Sequence, residues 1–367
     1  KSFKIGGWLN AIIPMLIVPY YSSIGGWVIK YLAEYLKGNV QTVAQDGYFT
    51  EFISDSFQVE AWFIVFAILV FCVILAGVEN GIERVSKIMM PILVILAVIV
   101  AIYSVTRPGA IEGVKYFLIP NPKHFSAMTV VAAMGQMFYS LSIAMGILYT
   151  YGSYIGKDVD LEKSTTQVEI FDTAIAMLAG LMIIPAVYTF MGTEGMSAGP
   201  GLMFVSLPKV FKAMGAAGVL VGIVFFLMVS FAAVTSSVSV MEAIVSSMMD
   251  KFHVSRKKGT ILTTLYGMIV GVIVCLGYNK LYFELKLPNG TVAQILDVMD
   301  YISNNCLMPM VALLTCILIG WVVKPKVIID EVTLGGYRFG REKLYVAMIK
   351  VIAPLMLLIL LVQSVGL

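Results

Sequence analysis

The apolar residues of this chain come in blocks of roughly 20, the length an α-helix needs to cross the hydrocarbon core of a bilayer. Nine such blocks stand between polar breaks, at 8–35, 59–77, 87–106, 128–152, 167–191, 216–247, 259–278, 293–323 and 343–366. A membrane barrel would show short alternating segments instead. Composition agrees: 59% of the 367 residues are hydrophobic and 13% charged, where a soluble domain carries about 25% charge. The expectation is an all-α polytopic membrane protein, with residues 1–367 forming one domain and the lipid bilayer as its surroundings.

The stretch 201–214 stands apart. It is short, holds Pro208, Lys209 and Lys212, and is followed by Gly215. It reads as a helix lying in an extracellular loop rather than crossing. Orientation follows from lysine and arginine placement. With the chain's N-terminus in the cytoplasm, inward-facing segments hold 15 of these residues and outward-facing ones 9, and the densest cluster, "SRKKG" at 255–259, falls inside. The chain begins with Lys1 rather than methionine, and its first apolar run starts within about ten residues, which is not a signal-peptide pattern. The natural N-terminus is expected upstream.

Several function classes are disfavoured. Cys72, Cys275, Cys306 and Cys316 sit in or beside apolar runs and read as small buried hydrophobes, with no disulfide or metal spacing. His124 and His253 are far apart in sequence. No nucleophile–base pair, metal cluster or phosphate loop is visible, so an enzyme is not expected. The net charge of +3 says little about partners, and no nucleic-acid partner is expected.

Two apolar runs carry too many polar groups to be filler. Gly135–Gly146, "GQMFYSLSIAMG", holds Gln136, Tyr139, Ser140 and Ser142 between two glycines. Phe231–Val240, "FAAVTSSVSV", packs four hydroxyls into five positions. One such cluster is readily explained by close helix packing. Two clusters, together with embedded acids at Asp172, Glu242, Asp297 and Asp300, point to a site, because a charge at mid-bilayer costs at least about 2.5–3.5 kcal/mol unless it has a partner or a cavity. Glu242 is near enough to a cytoplasmic loop to reach water, and Asp297 and Asp300 near an outer one. Asp172 is the hardest to dismiss.

The runs "VENGIERVSKIMMPILVILAVIVAIYSV", "GQMFYSLSIAMGILYTYGSYI" and "AAVTSSVSVMEA", in this order and spacing, resemble the sodium-coupled neurotransmitter and amino-acid symporters, of which the bacterial leucine transporter is the model member. The resemblance covers essentially the whole chain. It implies an inverted-repeat fold, with the nine spans similar to family helices three to eleven and helices one and two missing. It also implies a prokaryotic inner-membrane location and a role for Gly135–Gly146 as a helix broken near the membrane centre, whose freed backbone groups line a cavity.

Residue by residue, the resemblance implies a substrate pocket of Ile17, Tyr21, Tyr139, Ser142, Met145, Ser236 and Val240, with Tyr21 on the substrate carboxylate and Tyr139 as a lid. It implies one sodium site at Ser140 and Asp172, and a second at the Ala232 carbonyl and the Thr235 and Ser236 hydroxyls. It implies an outer gate at Gln136, Tyr139 and Asp300. Asp172 would supply the negative charge for which other relatives recruit chloride, so chloride is not expected. Pro19, just before the tyrosine pair, and Ala144, where many members have glycine, depart from the pattern. The pocket walls carry no charge, so the implied activity is sodium-coupled symport of a hydrophobic amino acid, aromatic ones included, by alternating access. The alternatives are an uncoupled permease or channel of the same fold, or a transport-inactive fragment.

Overall fold

The computed structural model describes residues 4–196, 199–288 and 290–364, without the side chains of Lys4, His124, Ala127 and Val131; Lys1, where the charge count begins, lies outside them. Among the described residues, eight helices are long and apolar enough to cross a membrane. The long elements are α1 (Lys4–Leu36), α2 (Ser56–Leu75) and α3 (Arg84–Val105), the last entered through a π turn at Val78–Glu83. After the short α4 (Ala110–Leu118) come α5 (Ala127–Ser140) and α6 (Ile147–Tyr154), then α7 (Leu161–Met191) and the short α8 (Leu207–Ala213). The chain ends with α9 (Ala216–Phe252), α10 (Arg256–Leu276), α11 (Ile295–Val322) and α12 (Glu342–Ser364). A short hairpin, Leu285–Lys286 with Val292–Ala293, precedes α11. The apolar block at 128–152 is therefore two half-helices, α5 and α6, rather than one span.

α1 is the central post: α2, α9, α10 and α11 pack along it. The contact with α2 is close because two glycines face it. A Cβ on Gly26 would lie 2.7 Å from the Phe63 backbone nitrogen, and one on Gly25 2.4 Å from the Phe66 ring. Only glycine lets the backbones meet at that distance. Outward faces are apolar instead, with Ile64, Ile68 and Leu69 on α2 and Ile95, Ile99 and Ile102 on α3 exposed, as lipid-facing surface requires. Cys72 lies on that same outward surface of α2 and Cys306 is half-buried, which corrects the reading of all four cysteines as buried.

α1 runs as one helix past both Pro14 and Pro19. A proline has no N–H for the carbonyl four residues back. For Pro19 that carbonyl, Met15 O, instead accepts a hydrogen bond from the Tyr266 hydroxyl at 2.9 Å.

α8 cannot cross: seven residues reach about 10 Å at 1.5 Å per residue. It caps one end of α1 instead. Phe204, just before it, stacks on Phe49 with centroids 5.1 Å apart, and the Tyr31 hydroxyl donates to Phe204 O at 2.9 Å. Lys209 pairs with Asp46 across this cap and holds the Asp46 carboxyl below the usual carboxylate range.

Candidate functional site

The centre of the site is the gap between α5 and α6. α5 ends in a turn in which Ile143 N donates to Phe138 O at 2.9 Å and Ser142 N to Tyr139 O at 3.1 Å. This is the Schellman pattern, which requires a left-handed residue and usually takes glycine. Here Ser142 fills it, at φ 54°, and Ala144 (61°) and Gly146 (82°) are also left-handed. The chain thus leaves the helix for six residues and re-enters it at Ile147. The first N–H groups of α6 have no partner within their helix, and its N-terminal dipole end is positive. Gly146 lies against α1, where a Cβ would meet Asn10 O at 3.4 Å.

A cavity of about 630 Å³ opens beside this break. α1 contributes Ile17 and Tyr21, and the broken segment contributes Tyr139, Ser140, Ser142 and Met145. Asp172 comes from α7, and Thr235, Ser236 and Val240 from α9. All seven substrate-pocket residues expected from sequence, and four of the five sodium ligands, line this one space. Ala232 does not; it lies one turn before Ser236, and its carbonyl accepts the Thr235 hydroxyl at 3.1 Å. The Ser140 hydroxyl donates to the Asp172 carboxylate, joining the break to α7. Tyr21 and Ser236 line the same cavity from α1 and α9.

The α9 wall has a consistent hydrogen-bond direction. Thr235 donates to Phe231 O at 2.9 Å, and Ser239 donates to Thr235 O at 3.1 Å while accepting from the Tyr151 hydroxyl at 2.7 Å. Hydroxyls that give their proton back to the preceding turn leave oxygen lone pairs for anything in the cavity.

A second cavity of about 750 Å³ is lined by the three residues expected at the outer gate, Gln136, Tyr139 and Asp300. Tyr139 lines both spaces and so stands between them. Asp300 accepts from the Asn304 amide at 2.6 Å, and the same amide reaches the Tyr20 hydroxyl at 3.2 Å.

The other end of the inner cavity was not legible from sequence. Glu242 does not reach water; it is fully buried. Arg256 grips it with both terminal nitrogens, at 2.9 and 2.6 Å, and the Tyr154 hydroxyl donates to it at 2.7 Å. Tyr154 also lines the cavity, so this triad is joined to its wall. Arg256 belongs to the "SRKKG" cluster, which read only as an orientation signal. Tyr151, Ser86, Met90 and Val168 also line the cavity unforeseen.

The model of the Sodium:neurotransmitter symporter family matches residues 34–366. The chain belongs to this family. An uncharacterized sodium-dependent transporter, YhdH, of Bacillus subtilis (strain 168) is 32% identical, covering 100% of this chain and 80% of that protein. A similar one from Haemophilus influenzae is 30% identical, covering 99% and 79%. Among solved structures, MhsT in complex with L-phenylalanine matches with a TM-score of 0.87 at 34% identity, covering 100% of this chain and 82% of that one. The fold is thus the inverted-repeat, leucine-transporter-like one. The protein is a multi-pass, sodium-dependent membrane transporter and not an enzyme.

Proposed function

We propose that this symporter carries a hydrophobic amino acid, aromatic ones included, through the inner cavity together with two sodium ions. The observation that carries the reading is convergence: Ile17, Tyr21, Tyr139, Ser142, Met145, Ser236 and Val240, far apart in sequence, line one cavity of about 630 Å³. Its walls at Ile17, Met145 and Val240 are apolar and would leave a charged substrate side chain unpaired at high cost. Met145 is adaptable enough to admit a large ring. The complex of MhsT, a related structure, with L-phenylalanine supports the same class. The Tyr21 hydroxyl and the α6 N-terminus suit the substrate carboxylate.

Sodium is cargo here, and a hard cation takes oxygen ligands. Ser140 with Asp172 forms one candidate set; Thr235 and Ser236 form the other, with the Ala232 carbonyl as its least well-placed member. Asp172 supplies the fixed negative charge, and Ala176, one turn on, has no side-chain oxygen for an anion, so uptake proceeds without chloride. Tyr139 and Asp300 close the outer side, and the Glu242–Arg256–Tyr154 triad the inner one. The protein sits in a prokaryotic inner membrane with this chain's N-terminus in the cytoplasm and 201–214 outside.

Competition against L-phenylalanine uptake into vesicles under an inward sodium gradient, with the transporter expressed from its natural gene, tests the substrate class. Leucine and tryptophan should displace the label; stronger displacement by lysine or glutamate would overturn the assignment. Uptake that neither requires sodium nor accumulates substrate would favour an uncoupled permease.

A further inference from the structure

The loop between α11 and α12, residues 323–341, is fastened to the first two turns of α7. The Tyr337 hydroxyl donates to Asp158 O at 2.6 Å, just ahead of the helix. The backbone N–H groups of Gly340 and Arg341 both donate to the Glu162 carboxylate, at 2.7 and 3.1 Å. The Arg341 guanidinium then spreads along the helix: Nε to Glu162 at 3.4 Å, one terminal nitrogen to the Thr166 hydroxyl, the other to Glu169 at 2.9 Å. Isolated exposed ion pairs contribute little. This one differs because two backbone donors fix where the guanidinium starts, and its three targets span two turns. Such a grip fixes both the height and the rotation of the helix.

Glu162, Thr166 and Glu169 follow at intervals of four and three, which puts them on one stripe of α7. Asp172 and Val168, which line the cavity, lie about 90° and about 125° round the same helix from that stripe at 3.6 residues per turn. Side-chain ends stand about 5–6 Å from a helix axis, so a rotation of about 20° would move the Asp172 carboxylate by about 2 Å. That is enough to part it from Ser140.

We propose that Arg341 is a positioning residue for cation binding: it locks α7 in the rotation at which Asp172 meets Ser140. The proposal rests on the reading of Asp172 as a sodium ligand. Breaking the lock weakens sodium binding at a distance, without removing any group from the cavity.

The test is the sodium dependence of L-phenylalanine binding to the purified full-length transporter, measured alongside its thermal midpoint. Arg341→Gln is expected to raise the sodium concentration for half-maximal binding about fivefold or more, while affinity at saturating sodium stays within twofold. Arg341→Lys keeps the charge but cannot hold three partners at once, and should give a smaller shift in the same direction even if the glutamine variant folds poorly. Arg338→Gln, which removes the same charge from an exposed position in the same loop, should leave sodium dependence unchanged. Wild-type sodium dependence in both Arg341 variants, with Asp172→Asn strongly impaired, would overturn the lock and leave the sodium site standing. An equal shift from Arg338→Gln would also overturn it, since loop charge alone would then suffice. If Asp172→Asn itself keeps wild-type sodium dependence, the assignment of the site fails, and the lock with it.

Discussion

Arg256→Met removes the cation from a carboxylate that has no access to water. In the native protein Glu242 receives three hydrogen bonds, two from Arg256 and one from Tyr154. In the variant only the tyrosine remains. Breaking a buried ion pair from one side costs about 3–5 kcal/mol. The Arg256 side chain is 24% exposed while Glu242 is 0% exposed, so water already reaches the arginine end, and the lower bound of about 3 kcal/mol applies. At about 2.1 cal/mol/K per residue, 367 residues unfold with an entropy near 0.8 kcal/mol/K, so the midpoint should fall by about 4 °C. Glu242→Gln keeps the shape but turns one of the two accepting oxygens into a donor amide that cannot accept from Arg256, a loss of about 1–3 kcal/mol. Combined with Arg256→Met, it leaves no buried charge, so the double variant should be milder than Arg256→Met alone. The assay is the temperature at which the monodisperse peak is lost in size-exclusion chromatography, at one fixed heating time because the loss is irreversible. A drop below about 1 °C for Arg256→Met, or a double variant at the sum of its singles, would show that the pair is not coupled.

Asp172→Asn should weaken sodium affinity about tenfold, or about 1.4 kcal/mol, while the wild type binds substrate equally well in chloride-free buffer; sodium titrations with and without chloride check both halves. Tyr21→Phe should abolish most uptake while leaving the thermal midpoint within a degree or two, since only a cavity hydroxyl is lost. Gly222→Ala should cost about 1–3 kcal/mol by overpacking, because its Cβ would lie 2.0 Å from the buried Tyr35 ring; the same heating assay reads it. Cysteines at the exposed positions Lys212 and Lys257 should label from opposite faces of intact cells, and labelling from one face would refute the orientation.

What sequence could convey here depended on range. The spans were legible because length and apolarity are local: 216–247 became Ala216–Phe252 and 259–278 became Arg256–Leu276. The break at Gly135–Gly146 was legible from its polar content, although the residues that take left-handed angles include Ser142 and Ala144 rather than glycine alone. Glu242 was misjudged because nearness to a loop in sequence does not say which way a side chain points; it turns inward, toward an arginine on the next helix. The Arg341 contacts, 172 to 179 residues away along the chain, left no periodic trace. How the helix accommodates Pro19 was hidden because the acceptor it releases, Met15 O, finds its donor on α10, at Tyr266. The resemblance supplied the pocket positions, and tertiary geometry brought together all but Ala232.

The inward-donating hydroxyls of α9 give this part of the cavity wall a sign without giving it a charge. Thr235 and Ser239 direct their protons into their own helix, so these two hydroxyls turn lone pairs rather than protons toward the cavity. An alkali ion shedding water finds replacements for its hydration shell there. A halide passing the same two hydroxyls finds nothing in them to replace the protons that hydrated it. If the cavity is the sodium path proposed above, these neutral hydroxyls would favour a cation by polarity alone, without a titratable group of their own.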